Sequence, residues 1–136
     1  MIAQVKAILE ADSGLAALLT GGIYDQELSR QTTPGAFDAF KELKPAAVVR
    51  GSSETPWGPH HNGARLYFGV WLYENGGSTT IEAARDLIYS DLHRVKLPSG
   101  SRNNYEAVHI QDTLDTEDEQ LNARLIVCRF MATSIR

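Results

Sequence analysis

The stretch that decides the fold runs from Asn62 to Val95. Its first part, NGARLYFGVWLYE from Asn62 to Glu74, alternates: Ala64, Leu66, Phe68, Val70 and Leu72 fall on one face, and Arg65, Tyr67, Trp71 and Tyr73 on the other. A side-chain period of two is that of a β-strand. After Asn75-Gly76-Gly77 the period lengthens, and Ile81, Ala84, Leu87, Ile88, Leu92 and Val95 form one stripe of an amphipathic helix. A strand with an aliphatic face, followed directly by such a helix, can bury both apolar surfaces against each other. That makes the nucleus of an α+β domain. Thr79 followed by Glu82 predicts a capping box at the helix start, and Leu97-Pro98-Ser99-Gly100 predicts its stop.

Outward from this nucleus, Ile2, Val5, Ile8 and Leu9 have helical spacing, Asp12-Ser13-Gly14 interrupts it, and Leu15, Leu18 and Leu19 continue it. Ile23-Tyr24-Asp25 reads as a short edge strand. Residues 26–44 form an irregular insert in which Pro34-Gly35 signals a turn and Phe37, Phe40 and Leu43 fit one or two helical turns. Ala46 to Arg50 is extended, with Pro45 at its start, where no ladder donor is needed. Gly51 to Gly63 reads as a loop rich in Ser, Pro and Gly, carrying Trp57, His60 and His61. Tyr105 to Ile110 is a further strand, the acidic run Asp112 to Gln120 a hairpin loop, and Leu121 to Ile135 a strand apolar on both faces, as a central position or burial in an assembly requires. The expected fold is α+β, one domain over 1–136 with a single antiparallel or mostly antiparallel sheet of about four to five strands and helices on one face.

Composition narrows the function. The chain has 136 residues, enough for one domain that buries roughly two-thirds of its unfolded surface. No apolar run approaches the ~18 residues of a bilayer span, and the first residues lack the pattern of a signal peptide. The only cysteine is Cys128, so no intrachain disulfide forms and a reducing cytoplasm is the expected site of maturation. With 13 basic and 17 acidic residues the formal charge is −4, and the basic residues are scattered. A protein that grips nucleic acid through phosphates shows the opposite balance.

Motifs of chemistry are weak. Adjacent His60 and His61 diverge and have no cysteine or carboxylate at a metal-ligand spacing. The acidic run lacks the glycine and ligand order of a calcium loop. Cys128 lies in an apolar strand, where a thiol is usually inert. No nucleophile elbow, P-loop or dinucleotide turn is present. A small metal-dependent hydrolase using His60, His61 and Asp112 is the enzymatic alternative, motivated only by the presence of those groups. The face bearing Tyr67, Trp71 and Tyr73 is more informative, because three large aromatics on an open sheet face need cover. Two covers are available: another subunit, or the chain's own segment from Phe37 to Leu43. Tyr67, Trp71, Tyr73 and Trp57 are the candidate subunit or partner contacts.

The pattern Leu15-Ala16-Ala17-Leu18-Leu19, Gly22-Ile23-Tyr24-Asp25, Lys44-Pro45-Ala46-Ala47-Val48-Val49, Leu66 to Tyr73, the helix with Ala83-Ala84, Leu97, and Arg124-Leu125-Ile126-Val127 resembles the tail terminator, or tail completion, proteins of long-tailed bacteriophages. The likeness covers most of the chain but not the 26–44 insert or the His60-His61 loop. It implies a non-enzymatic virion protein without cofactor or metal, forming a homo-oligomeric ring, usually a hexamer. Such a ring caps the tail tube, stops its polymerisation and offers a docking surface to the head–neck complex. The implied partners are the tail tube protein and a neck or head-completion protein, with genomic DNA passing through the lumen unbound and no membrane involved. The implied location is the tail–neck junction of the virion, reached from the host cytoplasm during assembly. A head-completion or stopper subunit of the neck is the nearest alternative.

Overall fold

The computed structural model describes residues 2–57, 63–99, 102–119 and 121–135. Helices α1 (Ile2–Glu10) and α2 (Ser13–Leu18) lead into strand β1 (Gly22–Tyr24). A single 3-10 turn, Pro34–Ala36, precedes β2 (Ala46–Trp57) and β3 (Gly63–Glu74). Helix α3 (Thr79–Leu92) is followed by β4 (Lys96–Ser99), β5 (Arg102–Asp118) and β6 (Ala123–Ile135). The six strands form one sheet in the order β1-β2-β3-β6-β5-β4. Among the described residues β1 and β2 pair in parallel and the other pairs are antiparallel.

This is the α+β architecture expected from the sequence, with six strands rather than four or five. The additional strand is β4, in the segment where Pro98 signals a helix stop. Strand β1 is the expected short edge, and its parallel pairing follows from the long β1–β2 connection, which carries the chain back before β2 begins.

Helices α1, α2 and α3 cover one face of the sheet. Val5, Leu9, Leu15, Ile81, Ala84, Ile88 and Leu92 are buried against Ala47, Val49, Phe68, Val70, Leu72, Ile126, Cys128 and Phe130. At the centre, Phe68 of β3 and Phe130 of β6 are register partners whose rings stack at 5.4 Å. The alternation of β3 and the stripe of α3 meet here as the sequence requires. Strand β6 is apolar on both faces because it lies inside the sheet, between β3 and β5.

Across part of the other face the β1–β2 connection folds back. Leu28, Ala36, Phe37 and Leu43 form a second cluster with Ala46, Val48 and Ala123, against which Tyr24, Trp71 and Tyr73 pack. The helical turns expected at Phe37–Leu43 are absent: Phe37 and Leu43 face each other across an antiparallel bridge, and Phe40 points into solvent. The buried Thr33 secures the connection, its hydroxyl accepting from the Ser29 amide (2.9 Å) and donating to the Ser29 carbonyl (3.0 Å).

Two stretches read as loops are largely strand. Strand β2 continues to Trp57, with a register shift between Gly51 and Ser53. The acidic run belongs to β5 as far as Asp118, with register shifts at His109/Gln111 and Thr113/Thr116. Each extra residue resets the inside–outside alternation, so no period of two survives to be read.

The start of α3 also differs from the expected capping box. Ser78, not Thr79, is the N-cap, and it makes no side-chain cap bond. The carboxylate of Glu74, at the end of β3, accepts instead from the amides of Thr80 (3.1 Å) and Ile81 (3.3 Å). Gly76, at φ +82, lets the chain turn back tightly enough for this contact. An anion at a helix N-terminus satisfies orphan donors and complements the dipole. Glu74→Ala is therefore expected to cost about 0.5–2 kcal/mol of stability in urea denaturation, and Thr79→Ala much less. Equal losses would return the cap to Thr79.

Candidate interaction face

The sheet face away from the helices carries Tyr67, Gly69, Trp71 and Tyr73 from β3. Their register partners on β6 are Met131, Arg129, Val127 and Leu125 in that order. The Trp71 ring lies across Gly69, since a Cβ built at Gly69 would come within 2.7 Å of Trp71 Cζ3. Glycine at that position is what allows the large ring to lie flat on the sheet. On β5 the register shift at His109/Gln111 turns out Ile110, which is 47% exposed. Arg129 Nη1 donates to Thr113 Oγ1 at 2.8 Å, so its guanidinium is held over the sheet. Tyr67, Gly69, Trp71, Ile110 and Arg129 thus line a groove of about 300 Å³.

The aromatics named from the sequence divide between two environments. Trp71 and Tyr73 pack on the cluster formed by the β1–β2 connection, and burial, followed by the charge of Asp118, pushes the Tyr73 hydroxyl above its ordinary range. Tyr67 lies beyond that cluster, and Trp71 borders both the cluster and the groove. The side chain of Trp57 lies outside the described residues, as do His60 and His61. Ile110 and Arg129 were not legible as members of this face. Only the register of β5 and β6 brings them beside Tyr67.

Asp112, the remaining residue of the hydrolase alternative, points to the helix side. Its Oδ1 shares a 2.8 Å hydrogen bond with His109 Nε2, and Arg85 Nε lies 3.7 Å from Oδ2. The His109 amide donates to His93 Nδ1 (3.1 Å), Tyr89 stacks on His93 at 4.7 Å, and His109 meets Phe130 edge-on at 5.4 Å. These groups tie α3 to β5. Burial, then the neighbouring Asp112 carboxylate, pushes the Cys128 thiol far above its ordinary value, which suppresses the thiolate a nucleophile needs. Among the described residues no group of three or more His, Cys, Asp or Glu side chains could hold a metal ion.

A second polar contact joins α2 to α3. Asp12 caps α2 by accepting from the Leu15 amide (3.1 Å), and its carboxyl lies close enough to that of Asp91 for the two to perturb each other's protonation. Burial, then the hydrogen bond and charge of Asp12, push Asp91 up to about 6. The bond to Asp91 and the Leu15 amide hold Asp12 below its ordinary value.

No protein-family model matches the sequence, and no curated protein does. Among solved structures the fold is similar to a chain in the virion of a native gene transfer agent particle, with a TM-score of 0.72 at 19% identity. The likeness covers 100% of this chain and 95% of that one. At this identity it is a likeness of fold, extending over nearly the whole of both chains.

Gly69→Ala is expected to push the Trp71 ring off the sheet and to cost about 1–3 kcal/mol. Tryptophan emission in a Trp57→Phe background should shift to the red, and an unshifted spectrum would mean that the ring does not rest on Gly69. The carboxyl pair sets a pH dependence. Because the folded protein holds the Asp91 proton above the ordinary value of 3.8, the stability this group contributes is fully present below that pH and lost as pH rises through about 6. The difference in urea midpoint between the native chain and Asp91→Asn should shift in that direction over this window. Identical profiles would dissolve the coupling.

Proposed function

We propose that this chain is a structural virion subunit: a tail terminator whose ring caps the tail tube, stops its growth and offers the next docking surface to the neck. The observation that carries this reading is the end-to-end correspondence of fold with a chain of a gene transfer agent virion. The sequence resemblance to tail completion proteins, spread over both helical and strand segments, points the same way and supplies the finer role.

The geometry suits such a part. A broad sheet backed by three helices carries on its other face a groove lined by Tyr67, Trp71, Ile110 and Arg129, beside the part that the β1–β2 connection covers. Aromatic and arginine side chains are the types enriched where protein surfaces meet. A ring built from one kind of subunit needs two different patches per copy, joined head to tail, with a rotation that closes. A lumen lined by a chain of formal charge −4 would let a polyanion pass without holding it.

The reading is tested on purified protein mixed with its tail tube protein. The expected complex adds a multiple of 15.0 kDa to the tube end, six copies being the expected number. Particles assembled without this chain should carry over-long tubes, because nothing ends polymerisation. Tubes of normal length on heads that leak DNA would instead assign the stopper role. A chain that stays monomeric beside its tube would overturn both.

A further inference from the structure

The sheet ends on two strands too short to cover their neighbours. Strand β4 meets β5 at Arg102, Tyr105 and Glu106, Ala107 exchanges backbone bonds with Arg94 and Val95, and the His109 amide is taken by His93 Nδ1. From Ile110 to Asp118 the outward edge of β5 has no strand beside it among the described residues. At the opposite side of the sheet, β1 meets β2 at Ala46, Ala47 and Val48, and from Val49 to Trp57 the outward edge of β2 is likewise open among the described residues. An open edge presents backbone donors and acceptors that a further strand satisfies. Apolar side chains gather at the β5 edge. Of the four large ones exposed among the described residues, Ile110 and Leu114 lie on the open stretch, and Tyr89 meets His109 edge-on at 5.2 Å.

We propose that the open edge of β5 in one copy pairs antiparallel with the open edge of β2 in a neighbouring copy, so that the sheet continues from subunit to subunit. The strand directions allow it. Strands β2, β3, β6 and β5 each run antiparallel to the next, so β2 and β5 point in opposite senses. A neighbour laid beside β5 in the same orientation therefore presents β2 antiparallel to it, with its helices on the same face. The open stretches, 110–118 and 49–57, are equal in length. Set end against start, they leave β4 of one copy and β1 of the other beyond the two ends of the paired segment. Pro56 offers no donor, so the ladder is expected to run from Val49 to Thr55. Gly51, Phe68, Phe130 and His109 form one row across the sheet, and the two open stretches run away from that row in opposite directions. Joined copies are thus staggered along their strands, as a sheet that closes on itself must be.

Charge favours β2 over a second β5 as the occupant. Between Ile110 and Asp118 the chain has four carboxylate residues and no Lys or Arg. Arg85 and Arg124 lie against two of them, Asp112 at 3.7 Å and Glu117 at 3.5 Å. The stretch from Val49 to Thr55 holds one charge of each sign, Arg50 and Glu54. Two β5 edges paired together would set the acidic run against itself, where like charges oppose pairing, and would leave both β2 edges open. Pairing β2 with β5 completes both edges in every copy. It is also head to tail, the kind of contact from which a ring closes. The pairing deepens the ring reading and rests on it for the neighbour.

The test uses the full chain assembled with its tail tube protein. Amide hydrogen exchange is expected to slow by at least about tenfold on assembly in both open stretches, 49–55 and 110–118, because new ladder bonds protect amides that face water in the free subunit. A double variant, Thr55→Cys with Gln111→Cys, places one exposed thiol on each edge. Treated with a short bifunctional maleimide in the assembled state, it is expected to give a ladder at multiples of 15.0 kDa that extends beyond dimers. Neither single variant should cross-link. Dimers from Gln111→Cys alone would mean that β5 pairs with β5 and would overturn the contact. Protection confined to 110–118, with no ladder, would give the edge to a strand of the tube protein and also overturn it. Rings that form with no ladder and no protection in either stretch would overturn the pairing and leave the ring intact. A native chain that never exceeds monomer mass beside the tube would sink the ring reading and this contact together.

Discussion

The stacked pair of Phe68 and Phe130 sits where the rest of the molecule converges. Each ring belongs to one of the two strands at the middle of the sheet, the two are register partners, and both are fully buried under the helices. Aromatic stacking adds to the large area these rings remove from water. It also pins the β3–β6 register, because a slip of one residue would send the entire apolar set of a strand to the other face. From this fixed pair the helix layer follows on one side. On the other, Trp71 and Tyr73 alternate outward from the same strand and must find cover of their own.

That second requirement organises the outer face. The β1–β2 connection supplies an apolar lid over Trp71 and Tyr73, but not over the part of the sheet formed by Tyr67, Arg129 and Ile110. One chain segment therefore does two things. Its inward residues, Phe37 and Leu43, complete the fold, and its outward residue, Phe40, remains on the surface. The even choice that the sequence left between self-cover and subunit contact divides along the strand. The lid packs on Trp71 and Tyr73, Trp71 also borders the groove, and Tyr67 lines that groove.

What the sequence disclosed follows from periodicity. The alternation of β3, the stripe of α3 and the two-faced apolar character of β6 were legible because each runs unbroken through a single environment. What stayed hidden is where an irregular residue resets the pattern. Register shifts in β2 and β5 disguised long strands as loops, and Pro98 disguised β4. The cap of α3 is hidden for a different reason: its carboxylate comes from the preceding strand, outside the local spacing that defines a capping box. Ile110 and Arg129 carry no sequence signal for the groove at all. Their place depends on a register shift and on strands that pair across long stretches of sequence.

The polar groups of the helix side point to the kind of work the molecule does. His109, Asp112 and Arg85 are engaged with one another, His93 accepts a backbone hydrogen bond, and Cys128 is buried with its thiolate suppressed. Arg85, His93, His109 and Asp112 join elements together, holding α3 against β5, while Asp12 and Asp91 bring two carboxyls close between the start of α2 and the end of α3. Chemically distinctive residues have been taken up by the scaffold, and the open sheet face carries apolar rings and a fixed cation. A face of that composition favours docking, and a subunit whose layers are tied in this way can bear a partner on one side without reorganising the other. For a part whose proposed task is to end a polymer and start the next joint, that separation of rigid core from adhesive face is the property that matters.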